Sequence, residues 1–244
     1  MLALARETNL SETTFVLPAQ AGGHARVRIF TPRRELPFAG HPTLGTAFVL
    51  GGAMESTELR LELPVGIVPV RLEREGPRVS FGWMTQPTAR EIAAPPERQV
   101  LAALGVKEAR SSLVAFENGP RHVYVELESA QAVSALAPDF SALSRATEFG
   151  VAAFHFDGSA CKVRYFAPAA GVHEDPATGS AAGPLALLLR RAGRLAEGAT
   201  LRIEQGVELG RPSELYAQIM GSGAEGSVEV GGSARVVARG QFVI

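Results

Sequence analysis

The residues able to move a proton or grip an anion stand in two short blocks. One is Gly40-His41-Pro42-Thr43-Leu44-Gly45-Thr46, the other Asp175-Pro176-Ala177-Thr178-Gly179-Ser180. Each carries an ionisable group, a proline, a glycine and small hydroxyl residues, and each leads into an apolar run. Taken alone, either block is an ordinary helix cap, because Asp, Ser and Thr are favoured there. Helix starts also present unpaired N–H groups and the positive end of the helix dipole. Glycine lets a ligand come close to the backbone. Two such starts facing each other would hold a carboxylate between them. Gly40, Thr43, Gly45, Thr178 and Gly179 are therefore expected to bind substrate.

The two blocks are part of a larger repetition. Asp175 follows His41 by 134 residues, and Pro, Gly and Ala recur in step behind them. Upstream, "VRIFTP" (27–32) matches "VRYFAP" (163–168) at a spacing of 136; downstream, "LRLE" (59–62) matches "LRIE" (201–204) at 142. Three matches in order argue for two copies of one unit. In that reading His41 and Asp175 occupy equivalent places and meet as a facing pair, able to orient a substrate and set the state of a carboxylate. Glu12, in "NLSETTFV", reads from pattern alone as a turn residue on the surface.

The elements that must position these groups are short strands punctuated by a few helices, which indicates an α+β fold. Strands are expected at 13–17, 25–30, 58–64, 66–73, 78–84, 111–117, 121–127, 150–156 and 161–166. Others are expected around 200–204, 214–219, 227–230 and 234–243. Helices are expected at 2–8, 42–52, 95–106, 129–136, 139–147 and 179–193. The domains are expected to be residues 1–107 and 108–232, with a terminal strand at 233–244 returning toward the first.

The 244-residue chain has a net charge of −1, so no basic face marks it for nucleic acid or anionic membrane, and a small molecule is the expected partner. Its single cysteine, Cys161, excludes an internal disulfide and suits the cytoplasm. That cysteine lies in a strand-like run and reads as a small core residue. No apolar run reaches the 18 residues of a transmembrane helix, and "MLALARETNL" is no signal peptide. No metal-ligand spacing and no glycine-rich nucleotide loop occurs, so neither metal nor cofactor is expected.

Five blocks in order resemble the phenazine biosynthesis (PhzF-like) family, of the diaminopimelate-epimerase-like fold. They are "ARETNLSETTFVL", "RIFTPRRELPFAGHPTLGTA", "HEDPATGSAAG", "IEQGVELGRPS" and "SVEVGGSARVVARG". The resemblance implies two pseudo-symmetric domains, each a strongly bent, mainly antiparallel, barrel-like sheet around a central helix, with the active site in the cleft between them. It implies a homodimer without cofactor, and Glu12 as the general acid/base, assisted by His41, Asp175 and Ser180. The family's phenazine member moves a proton on a dihydro-hydroxyanthranilate ring, giving a ketone. Related epimerases use two cysteines, but here Ala39 and Pro176 fall near those places, so a single carboxylate working on one face is expected. The family usually has a strand and hairpin ahead of "ARETNLSET", whereas this sequence starts inside that helix; either the start is assigned late or the element is absent, and losing it would expose a strand edge. Two other readings compete. One is a catalytically silent small-carboxylate-binding protein of the same fold. The other makes Ser180 a hydrolytic nucleophile, although "TGSAA" lacks the G-x-S-x-G elbow.

Overall fold

The computed structural model describes residues 1–221 and 227–242. The first half runs α1 (Leu2–Thr8), β1 (Thr13–Leu17), β2 (Ala25–Phe30), β3 (Glu35–Leu36), α2 (Gly40–Met54), β4 (Glu58–Leu63), β5 (Gly66–Glu75) and β6 (Arg78–Thr85). Next come β7 (Arg90–Ile92), α3 (Glu97–Leu104), β8 (Val114–Glu117), β9 (Arg121–Glu126), α4 (Ala130–Ser134) and α5 (Phe140–Ala146). The rest is β10 (Gly150–Phe156), β11 (Ala160–Ala167), β12 (Val172–Asp175), α6 (Gly179–Arg191), β13 (Thr200–Gln205), β14 (Ser213–Met220) and β15 (Ser227–Gly232).

Among the described residues the strands join one sheet, in the order β1-β2-β4-β5-β6-β15-β14-β13-β11-β10-β9-β8-β7. Through β10 the order reads the same from either side of the β6·β15 seam, once each strand is replaced by its counterpart. The repetition seen in the sequence is thus a real pseudo-symmetry. Its strand spacings hold residue by residue. Ala25 and Arg26 of β2 pair in parallel with Leu61 and Glu62 of β4; Cys161 and Lys162 of β11 pair likewise with Ile203 and Glu204 of β13. Shifts of 136 and 142 convert one set into the other. Parallel neighbours need a crossover, and α2 and α6 supply them.

The helices follow a different spacing. α2 begins at Gly40 and α6 at Gly179, so His41 corresponds to Ser180 and not to Asp175, which ends β12. The 134-residue match misleads because proline fits both settings. Pro42 sits in the first turn of α2, where its missing N–H costs no bond, while Pro176 lies before α6 begins.

Each half curls its strands about its helix. α2 touches β1, β4, β5, β6 and β15, and α6 touches β14, β15 and α2. Helix α6 is buried on nearly all sides, Leu185, Ala186 and Leu189 being at most 2% exposed. Burying each leucine is worth about 1.5–3 kcal/mol. Pro184 lies inside α6 and leaves the Ser180 carbonyl without its helical donor; the Asn118 amide supplies one at 2.9 Å.

Strand β7 pairs with β8, and Val100, Leu101 and Leu104 of α3 pack with Val123, Val125 and Leu143. One expectation needs correcting. Residues 233–242 form no strand: no sheet edge pairs with them, and an extended run without a partner edge forms no ladder. They cross the outer side of α2, closing an open groove of about 830 Å³ with Phe48, Val49 and Ala53. Residues 243–244 lie outside the described residues. Among those described, no helix is long and apolar enough to cross a membrane.

Candidate active site

The starts of α2 and α6 meet. A Cβ placed on Gly40 would lie 2.7 Å from Gly179 Cα, and one placed on Gly179 would lie 3.3 Å from Gly40 Cα. Only glycine allows two backbones this close. Beside this junction is a cavity of about 90 Å³ between the halves, lined by Glu12, His41, His122, Tyr165, Asp175 and Ser180.

Local sequence explains how each group gets there. Helix α1 ends at Asn9, which takes a left-handed turn at φ 48° with its N–H on Ala5 O; asparagine tolerates that conformation better than most residues. The chain then reverses into β1. The Thr8 and Thr13 hydroxyls meet at 3.1 Å, and Thr46 on α2 donates to Thr14 at 2.9 Å. These contacts hold Glu12 against α2.

Asp175 is fixed by the approach to α6. The Thr178 hydroxyl donates to Asp175 Oδ2 at 2.6 Å. Buried Gln205 accepts from Thr178 N at 3.1 Å and donates to Asp175 O at 2.7 Å and Thr178 Oγ1 at 2.9 Å. On the far side of α6, the Gln86 amide donates to Gly179 O at 2.6 Å and the Tyr124 hydroxyl to Ala181 O at 2.8 Å. Its first turn is clamped by side chains from four strands and loops.

The charges form one cluster. His41 Nε2 lies 3.1 Å from Glu12 Oε2, with side-chain exposures of 38% and 11%. The distance is that of an ion pair, without the alignment of a full hydrogen bond. Burial opposes charge on His41, but Glu12 and Asp175 outweigh it and push the imidazole up to about 9. Burial raises Asp175 above the usual carboxylate range, against the pull of His41 and with the help of Glu12. Glu12 Oε2 and Asp175 Oδ1 are both buried without a hydrogen-bond partner among the described residues. Such atoms are rare in native structures. Here two of them border one cavity, next to an imidazole that is charged at neutral pH. Among the described residues no group of His, Cys, Asp or Glu is arranged to hold a metal ion.

Of the nine residues expected at the site, Glu12, Gly40, His41, Asp175, Thr178, Gly179 and Ser180 line this cavity. Thr43 and Gly45 do not. Thr43 is fully buried and donates to Ala39 O at 2.6 Å, and Gly45 borders the groove on the outer side of α2. A helix turns about 100° per residue, so Gly45, five positions on, rotates away from the face that Gly40 presents, whereas Thr43, one turn on, stays near that face but is buried with its hydroxyl bound to the backbone. Sequence reasoning misses His122, Tyr165 and Gln205. Each is a polar residue in a strand, and no spacing signals a polar residue whose partners arrive from other elements.

The fold and this cluster first define a class: an epimerase-like architecture of two pseudo-symmetric units with ionisable groups where the central helices meet. A probable proline racemase from Agrobacterium radiobacter shares the fold with a TM-score of 0.74 at 14% identity, over 100% of this chain and 81% of that one. Within that class the chain belongs to the phenazine biosynthesis-like protein family, whose model matches residues 1–240. It is 49% identical to the trans-2,3-dihydro-3-hydroxyanthranilate isomerase of Pseudomonas aeruginosa, covering 99% of this chain and 87% of the relative. The protein of the same name from Pseudomonas fluorescens is 45% identical, over 100% and 88%. A solved structure of a predicted epimerase from Pseudomonas aeruginosa superimposes with a TM-score of 0.83 at 30% identity, covering 100% of this chain and 88% of that one.

Proposed function

We propose that this chain is an isomerase that moves a proton on trans-2,3-dihydro-3-hydroxyanthranilate, with Glu12 as the general acid/base. The substrate comes from the relatives that share 45–49% identity with it. The role of Glu12 rests on one observation: its Oε2 is buried, lacks a hydrogen-bond partner among the described residues, and sits 3.1 Å from His41.

In the reaction the substrate carboxylate lies against the N–H groups at the starts of α2 and α6, beside the Ser180 hydroxyl. Glu12, 3.1 Å from His41, takes a proton from one ring carbon. It returns that proton to another ring carbon on the same face. No atom is gained or lost, and the resulting enol relaxes to a ketone. Asp175, whose burial favours the protonated acid, can donate a hydrogen bond to the developing charge. The same reading includes a homodimer in the cytoplasm, which light scattering and cell fractionation test.

The deciding experiment follows turnover and deuterium uptake from heavy water in wild type and Glu12→Gln. Loss of both in the variant is expected. Exchange at the wild-type rate overturns the role of Glu12; binding without turnover in wild type favours the silent binding protein.

A further inference from the structure

Two buried groups of the cavity have no part in this mechanism. His122 on β9 is 0% exposed, and its Nδ1 lies 2.7 Å from the Tyr165 hydroxyl of β11. His122 Nε2 is buried and has no partner among the described residues. Both side chains line the cavity with Glu12 and Asp175. The neighbours of His122 on β9, Val123 and Val125, are ordinary core residues at 0% exposure. Room for the Tyr165 hydroxyl is reserved: a Cβ on Gly150 would overlap that oxygen.

The pair has a defined protonation pattern. Burial pushes His122 down to about 3, so the ring is neutral, and burial pushes the Tyr165 phenol up, so it too is neutral. Among the described residues the phenol has one hydrogen-bond partner, His122 Nδ1. A buried O–H seeks an acceptor, so Tyr165 donates and Nδ1 accepts. The ring proton then resides on Nε2. His122, which lines the cavity, thus carries a neutral N–H donor without an acceptor among the described residues.

We propose that His122 is a substrate-binding residue whose Nε2–H donates to the ring oxygen of the substrate, and that Tyr165 is the positioning residue that fixes its tautomer. This rests on the isomerase reading above. The substrate carboxylate is drawn to the helix starts, and its amine to Glu12 and Asp175. The ring oxygen is the polar group left over, and a neutral donor suits a neutral oxygen. The pair therefore selects ring acids that carry an oxygen substituent. A donor left unpaired by an analogue without that oxygen weakens binding by about 10–100-fold.

The test measures Kd for 3-hydroxyanthranilate and anthranilate, which differ by that one hydroxyl and cannot react. Wild type is expected to prefer the hydroxylated ligand by about 10-fold or more. His122→Leu, and His122→Leu/Tyr165→Phe with both polar partners removed, should bring the ratio to about 1. His122→Gln, which keeps an amide donor near the Nε2 position, should retain most of the preference. A ratio unchanged in the double variant, or no preference in wild type, overturns the proposal. Simple loss of packing weakens both ligands equally and leaves the ratio intact, which also counts against it. Wild-type turnover of the dihydro substrate is measured in parallel. Its absence overturns the isomerase reading, while the ratio of the two dissociation constants still decides whether His122 donates to the ring oxygen.

Discussion

Replacing Gly40 with alanine tests the meeting of the two helix starts. A Cβ there would sit 2.6 Å from Gly179 C and 2.7 Å from its Cα. Comfortable carbon contacts are about 3.5–4.0 Å, so the helix starts must part by roughly 1 Å. Alanine in a helix is worth up to about 1 kcal/mol over glycine, and overpacking costs about 1–3 kcal/mol. The upper part of that range applies here, because the neighbours are backbone and cannot swing aside. A net loss of about 1–2 kcal/mol is expected. Activity should suffer more, since His41 rides on α2 while Ser180 rides on α6. A displacement of about 1 Å at reacting groups costs about 100-fold. Gly45→Ala is the matched control: nothing lies within 4 Å of the added Cβ. It should gain about 0.5–1 kcal/mol from helix propensity and leave turnover unchanged. Urea unfolding at constant m-value and isomerase turnover read both effects. A Gly40→Ala protein as stable and active as wild type would refute the reasoning.

Asn118→Leu should cost about 1–3 kcal/mol, because the Ser180 carbonyl loses the donor that Pro184 cannot provide. In a Pro184→Ala background the restored N–H can take its place, so the penalty should shrink; additivity within about 0.5 kcal/mol in the double-mutant cycle contradicts this. His41 should make stability depend on pH. Its folded value is raised from 6.5 to about 9, so its contribution is complete below pH 6.5 and vanishes as pH climbs through 9. At 38% side-chain exposure and with salt screening, that contribution is on the order of 1 kcal/mol. The urea stability difference between wild type and His41→Gln should decline across that window, and a flat difference would rule it out.

What could be read from the sequence follows from where each signal resides. "VRIFTP" and "VRYFAP" repeat because both strands lie in the same parallel register beside their partners, and that register keeps equivalent side chains. The helix starts repeat less legibly, since proline is allowed both inside and ahead of a helix's first turn. Thr43 and Gly45 carried the right composition, but rotation turns Gly45 to the outer side of α2, and burial one turn deeper ties the Thr43 hydroxyl to Ala39 O. Glu12 carried no local signal at all; four threonines and the left-handed Asn9 make its position, and only the family resemblance pointed to it. Asn118, His122 and Gln205 are the opposite case. Each is locally an ordinary polar residue whose meaning comes from a carbonyl, a phenol or a loop supplied by chain dozens of residues away.

The seam between the halves also sets a timetable. Thr85 pairs with Glu229 and Gly82 with Gly232, strands about 140 residues apart in order of synthesis. At roughly 5–20 residues per second, the edge of β6 waits about 7–30 s on the ribosome for its neighbour. During that interval the first half, β1 to β6, is a sheet with an open flank, the kind of edge that pairs with other chains. Crowded translation of one message places identical flanks side by side. The molecule is thus most exposed to mispairing before its last strand exists, and a chaperone that shields β6 would act at that stage.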